Sequence, residues 1–141
     1  MRKEMISGKA RVWLPSMKRV YRVDINSNLF HYLDEKCLVH IVKTPEIITF
    51  LYPDPSSALM GTLKSSFVRI DLVIDSITKL ISLNLPERIR FNDGKCDRYG
   101  NYRAGTLDIN DEDPIVKLYF LDRNKNLTEL LSGLTISNGL C

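Results

Sequence analysis

Apolar side chains recur at every second position along most of this chain, in short runs broken by turn residues at nearly hairpin spacing. A period of two places alternate side chains on opposite faces of an extended strand, whereas a helix needs a period of 3.6. The pattern predicts strands over residues 10–13, 20–24, 28–33, 38–43, 47–51, 58–63, 66–71, 78–83, 102–107, 116–121 and 128–132. Between them stand turn signals such as Asn26-Ser27, Pro53-Asp54-Pro55, Asp93-Gly94, Tyr99-Gly100-Asn101 and Arg123-Asn124-Lys125-Asn126. Residues 72–85 are ambiguous, because Leu72, Ile74, Ile77, Leu80 and Ile81 would also share a helix face. The reading kept there is strand–turn–strand.

Eleven short strands without a clear helical pattern predict an all-β fold. A sandwich and a propeller both satisfy the count. A propeller blade is a four-stranded sheet of about 40–45 residues. On that count, 141 residues hold three blades. A faint repeat supports blades: residues 20–24 precede 30–34, and 116–122 precede 127–131, each an apolar strand followed by a turn and a second strand.

Twenty basic and seventeen acidic residues give a formal charge of +3. The basic residues fall in short pairs such as Lys18-Arg19, not in a stripe, so a nucleic-acid interface is not expected. The longest apolar run, near residues 47–52, is far short of a membrane span. Residues 1–9 carry basic groups with no apolar segment behind them and do not read as a secretory signal. Cys37, Cys96 and Cys141 are odd in number and widely spaced, which fits free thiols in a reducing, cytoplasmic setting. His31 and His40 lack metal-type spacing, and Trp13 is expected in the core.

One run concentrates chemistry. Arg90-Phe91-Asn92-Asp93-Gly94-Lys95 reads as a Gly-bounded turn between two short strands, followed by Asp97, Gly100 and Ala104-Gly105-Thr106. Its arginine, asparagine and aspartate could hold a polyhydroxylated ligand or help to order a metal. Arg90 and Asp93 could equally pair across the turn, since Asn-Asp-Gly runs are usually turns alone. This segment resembles the substrate loop of the gluconolactonase, regucalcin (senescence marker protein) and luciferin-regenerating-enzyme-like family. Gly8-Lys9-Ala10-Arg11-Val12-Trp13 resembles the family's opening motif. Tyr21-Arg22-Val23-Asp24-Ile25 resembles its next strand, and Ile136-Ser137-Asn138-Gly139-Leu140 resembles a later motif.

The resemblance implies a six-bladed β-propeller, with residues 1–141 as its N-terminal half of about three blades. It implies a metal-dependent hydrolase that opens sugar lactones around one divalent cation, Ca²⁺ or alternatively Zn²⁺, Mg²⁺ or Mn²⁺. Arg90 and Asn92 then match substrate-binding positions, and Asn138 matches a metal-binding asparagine. All three are expected to face the central axis at one end. A planar guanidinium suits such a substrate, because it donates to carbonyl and hydroxyl oxygens without titrating.

Three departures accompany the match. The family's metal-binding glutamate falls on Lys9, and an ammonium about 4 Å from a cation is repelled by on the order of 4 kcal/mol per unit charge at an effective dielectric near 20. The catalytic aspartate falls beyond the C-terminus. A substrate-contacting glutamate falls near Asn110, with Asp108, Asp111 and Glu112 as shifted candidates. The chain alone is therefore expected to be inactive and to bind a cation weakly. The alternative is a non-catalytic truncated propeller, or a calcium-binding regulatory or scaffold protein. Exposed blade edges are expected to promote self-association.

Overall fold

The computed structural model describes residues 8–54, 56, 58–137 and 140, with residues 8–10 described by backbone alone. Its described residues form three four-stranded antiparallel sheets. The first is a meander of β1 (Gly8–Leu14), β2 (Arg19–Asp24), β3 (Leu29–Leu33) and β4 (Val39–Lys43). The second follows with β5 (Ile48–Pro53), β6 (Leu59–Leu63), β7 (Ser66–Asp71) and β8 (Ser76–Ser82). The third contains β9 (Ile89–Cys96), β10 (Tyr102–Asp108), β11 (Val116–Leu121) and β12 (Leu127–Leu134). β1 packs beside β5 and β5 beside β9, so the leading strands of the three sheets adjoin. No described helix is long and apolar enough to cross a membrane.

The middle sheet is covered on both faces. Val12, Leu14, Tyr21, Val23 and Phe30 of the first sheet pack against Ile48, Leu51, Leu59, Leu63, Val68 and Ile70 of the second. On its other side, Met60 and Phe67 meet Phe91, Tyr102, Ala104 and Tyr119 of the third sheet. Phe91 sits edge-on to Phe67 at 4.9 Å and to Tyr119 at 6.0 Å. Burying one such ring contributes about 1.5–3 kcal/mol. All five residues of β6 are therefore buried, and its sequence is a continuous run instead of an apolar–polar alternation. Thr49 and Thr62, two of the polar residues inside, satisfy each other with hydroxyls 2.8 Å apart.

Three hairpins share one local device. At Asp34, Asp97 and Asp122 the Oδ1 accepts from the backbone N–H groups two and four residues later, over 2.8–3.0 Å. The third residue after each aspartate, Cys37, Gly100 or Lys125, is left-handed with φ of 60°, 84° and 66°. The N–H of that left-handed residue returns to the aspartate carbonyl. This is an aspartate-anchored turn, in which the side chain substitutes for a backbone acceptor. The repeated acid at strand ends thus belongs to turn geometry.

Residues 72–75 form a turn and β8 follows, so 72–85 is not helical. The expected turn at 90–95 is instead the strand β9. Gly94 is extended within it, opposite Ala104, where an added Cβ would lie 2.9 Å from the Phe50 ring and 3.0 Å from the Arg103 carbonyl oxygen. The glycine serves close packing between sheets, not chain reversal. Trp13 is 53% exposed, not core. It lies on the face of β1 opposite Val12 and Leu14, and no described sheet covers that face.

Candidate functional site

The register between β9 and β10 steps from Gly105↔Asp93 to Thr106↔Phe91. Asn92 is the extra residue of this β-bulge. A bulge bends its strand and re-aims the side chain that it displaces. Asn92 is consequently 1% exposed, and its Nδ2 donates to the Ser137 carbonyl over 3.0 Å. Asp93 accepts from the N–H of Gly94 at 2.9 Å and from the N–H of Leu140 at 3.3 Å.

The segment after β12 is thereby laid across the start of β9 and the end of β10. Ile136 bridges to Leu107, and the Ser137 N–H donates to the Thr106 carbonyl over 3.2 Å. Gly105 makes room for this crossing. An added Cβ there would lie 1.9 Å from the Ser137 Oγ and 2.2 Å from its Cβ. The Arg-Phe-Asn-Asp and Ala-Gly-Thr segments are therefore stitched to Ile136, Ser137 and Leu140. Asn138 itself lies outside the described residues, although Ser137 and Leu140 on either side of it are tied to β9.

Arg90 emerges beside this unit. It lines a cleft of about 660 Å³ together with Asn26, Asn28, Ile47, Asp108 and Asp111. Its Nη1 donates to the Phe91 carbonyl over 2.9 Å. Among the described residues its guanidinium forms no ion pair with a carboxylate. Burial lowers its pKa from the ordinary arginine value, because desolvation disfavours the cation. It remains charged at any physiological pH and presents a partly desolvated donor to the cleft.

The shifted candidates near residue 110 separate. Asp108 and Asp111 line the cleft, whereas Asn110 and Glu112 do not. The Asp108 carboxylate is occupied by the N–H groups of Asn110 and Asp113, at 3.1 and 3.5 Å, with Arg88 at 3.7 Å. Asn26 and Asn28 were not singled out in the sequence. They reach the cleft from the turn between β2 and β3, where Asp24 accepts the Asn26 N–H and Asn28 is left-handed with φ of 50°. The only signal for them was the turn dipeptide, which carries no hint of what lies across from it.

A cation would need several hard oxygen ligands converging on one point. Among the described residues no three His, Cys, Asp or Glu side chains gather in that way. Asn92 and Asp93 are engaged by the crossing segment, and the Lys9 side chain lies outside the described residues. The described side chains do not by themselves make up a cation site.

A family profile, the SMP-30/Gluconolactonase/LRE-like region, matches residues 7–141. The chain belongs to that family. It is 31% identical over 137 residues to a Bacillus subtilis protein named "Putative sugar lactone lactonase YvrE", a match covering 96% of this chain and 47% of that one. It is 25% identical over 136 residues to regucalcin of Danio rerio, across 94% of this chain and 46% of that protein. Among solved structures, a luciferin-regenerating enzyme superposes with a TM-score of 0.82 at 24% identity, over 95% of this chain and 48% of that one. The chain thus spans about half the length of the curated relatives it matches. The structural likeness places the three sheets within the architecture of this family.

Proposed function

We propose that this chain is part of a sugar-lactone hydrolase, as the N-terminal half, about three blades, of a six-bladed propeller. Arg90 and Asn92 contribute to substrate binding, and Asn138 to a divalent-cation site completed by the other half of that propeller. The observation that carries this reading is the Arg90 guanidinium, half-buried at the wall of an open cleft without a carboxylate partner among the described residues. Such a group donates to a lactone carbonyl or to ring hydroxyls and stabilises negative charge developing on the carbonyl oxygen. Asn26 and Asn28 add amide groups suited to hydroxyls. Asn92, at 1% exposure, acts first by holding the segment that precedes Asn138, and meets substrate directly only if that segment shifts. A cation, when bound in the complete fold, would polarise the carbonyl.

The test is binding of a simple aldonolactone to the 141-residue chain, followed by calorimetry. Arg90→Ala should weaken binding tenfold or more, about 1.4 kcal/mol, without lowering the unfolding midpoint. Equal affinity in the variant would remove Arg90 from the site. A second reading, a non-catalytic or calcium-binding family member, is favoured by one observation. The carboxylates of Asp93 and Asp108 are engaged by backbone N–H groups, which leaves them poorly placed as a general base. Turnover of the lactone by this chain alone, abolished by chelator, would exclude it.

A further inference from the structure

Two of the three aspartate-anchored turns put an arginine directly after the aspartate. Arg98 follows Asp97 and Arg123 follows Asp122, whereas Glu35 follows Asp34. The two arginine-bearing turns are tied together. The Arg123 N–H donates to the Asn101 Oδ1 over 3.2 Å, and the Asn101 Nδ2 donates to Asp97 over 2.9 Å. They sit at the end of the third sheet far from the Arg90 cleft, because β9 starts beside Arg90 and ends at Cys96. With the turn between β5 and β6 they rim a concavity of about 500 Å³ walled by the second and third sheets. Met60, Leu80 and Leu121 give it an apolar floor. Burial raises the pKa of the neighbouring Tyr102 phenol and keeps it neutral.

The charge on this rim is unbalanced. Among the described residues four cations, Arg69, Arg98, Arg123 and Lys125, line the concavity against two carboxylates, Asp54 and Asp122. Both carboxylates are occupied locally. Asp122 accepts from the N–H groups of Asn124 and Asn126 and from the Asn126 side chain. Asp54 accepts from the Ser56 hydroxyl and lies 3.7 Å from Arg69. Arg98, Arg123 and Lys125 pair with no carboxylate among the described residues. Tyr99 holds the Arg98 guanidinium in place, accepting from its Nη2 over 2.6 Å with the ring centroid 4.8 Å away. The other donors of that fork stay open.

We propose that this concavity binds a small organic phosphomonoester, its dianion held among Arg98, Arg123 and Lys125 and its ring or apolar body resting on Met60, Leu80 and Leu121. Charge and shape select that class. The four cations exceed the two carboxylates by two charges, which one dianion neutralises. Guanidinium forks meet phosphate oxygens two at a time. A carboxylate carries half that charge, and inorganic phosphate would leave the apolar floor wet. The volume suits a small molecule. The site uses no residue of the Arg90 cleft and does not depend on the lactone reading, so the two fail separately.

The probe is phenyl phosphate, titrated into the 141-residue chain at low ionic strength and followed by calorimetry and amide shifts. One saturable site with a Kd below about 1 mM is expected. The shifts should concentrate in residues 97–101 and 122–126. Arg98→Ala and Arg123→Ala, both at exposed positions, should each weaken binding about tenfold without moving the unfolding midpoint. Lys36→Ala removes an exposed cation from the corresponding turn of the first sheet and should leave the affinity unchanged. Benzoate should bind about tenfold more weakly than phenyl phosphate. The proposal is overturned by the absence of saturable binding, by shifts confined to other residues, or by unchanged affinity in both arginine variants. Weakened binding in Lys36→Ala, or benzoate binding as tightly as phenyl phosphate, would overturn it too. So would attachment to phosphatidate vesicles with no response to phenyl phosphate, which would assign these cations to a membrane surface.

Discussion

The side-chain amide of Asn92 lies 3.0 Å from the carbonyl oxygen of Ser137, forty-five residues further along the chain. This contact converts two distant motifs into one local structure. Asn92→Ala would leave the Ser137 carbonyl without that donor in a buried setting, which costs about 1–3 kcal/mol. Urea denaturation should show the loss as a lower midpoint with an unchanged slope. Asn92→Asp should be at least as damaging, since a carboxylate cannot donate to the carbonyl.

Gly105 and Ser137 form a second testable pair. Gly105→Ala places a methyl within 1.9 Å of the Ser137 Oγ, and overpacking of this kind typically costs about 1–3 kcal/mol. Ser137→Gly removes the opposing Cβ and Oγ, leaving the Cα 3.5 Å away. The double variant should therefore recover most of the lost stability. Additive losses in a double-mutant cycle would show that the clash is not the cause.

Acid should destabilise the chain through its turns. Hydrogen bonds hold the carboxyls of Asp34, Asp97 and Asp122 below their ordinary pKa. The largest contributions come from the His40 side chain at Asp34 and from the Asn101 and Asn126 side chains at the other two. A depressed folded-state pKa means that the stabilisation is fully present above the unfolded value, about 3.9, and is lost as pH falls through that value towards the folded one. Stability measured by urea should thus be flat near neutrality and decline progressively below about pH 4–5. Asp97→Asn should make that decline shallower. An unchanged acid limb in the variant would remove Asp97 from the account.

The thiols should differ in reactivity. Cys96 is 2% exposed, and burial pushes its thiol pKa up, whereas Cys37 is exposed on a turn. In a Cys141→Ser background, a disulfide reagent at pH 8 should titrate Cys37 within minutes and Cys96 only on unfolding. Rapid reaction of both would mean that the layer between the second and third sheets opens readily.

Most of the strands were legible because alternation survives wherever one face is buried, as in β2, where Tyr21 and Val23 face the core and Val20 and Arg22 do not. β9 was not, because Asp93-Gly94 has the chemistry of a turn. Only the approach of the Phe50 ring shows why a glycine is needed in an extended strand there. Trp13 was misplaced because alternation fixes which residues share a face but not which face is covered. The motif residues Arg90 and Asn92 were legible by type. Their different roles were not, since the bulge that buries one beside the exposed cleft of the other depends on pairing with β10. Asn26 and Asn28 reach the same cleft from another sheet, a proximity that no local pattern encodes.

The middle sheet, buried on both faces, also sets an order for folding on the ribosome. Each sheet is closed by hairpins between neighbouring segments, so its loop-closure entropy is small and it can form as it emerges. Its apolar face stays wet until the next sheet is made. Tyr21 and Phe30 wait for Leu51 and Val68, and Met60 and Phe67 wait for Phe91 and Tyr119. A pause after residue 83 would thus leave Met60 and Phe67 uncovered until the third sheet is made.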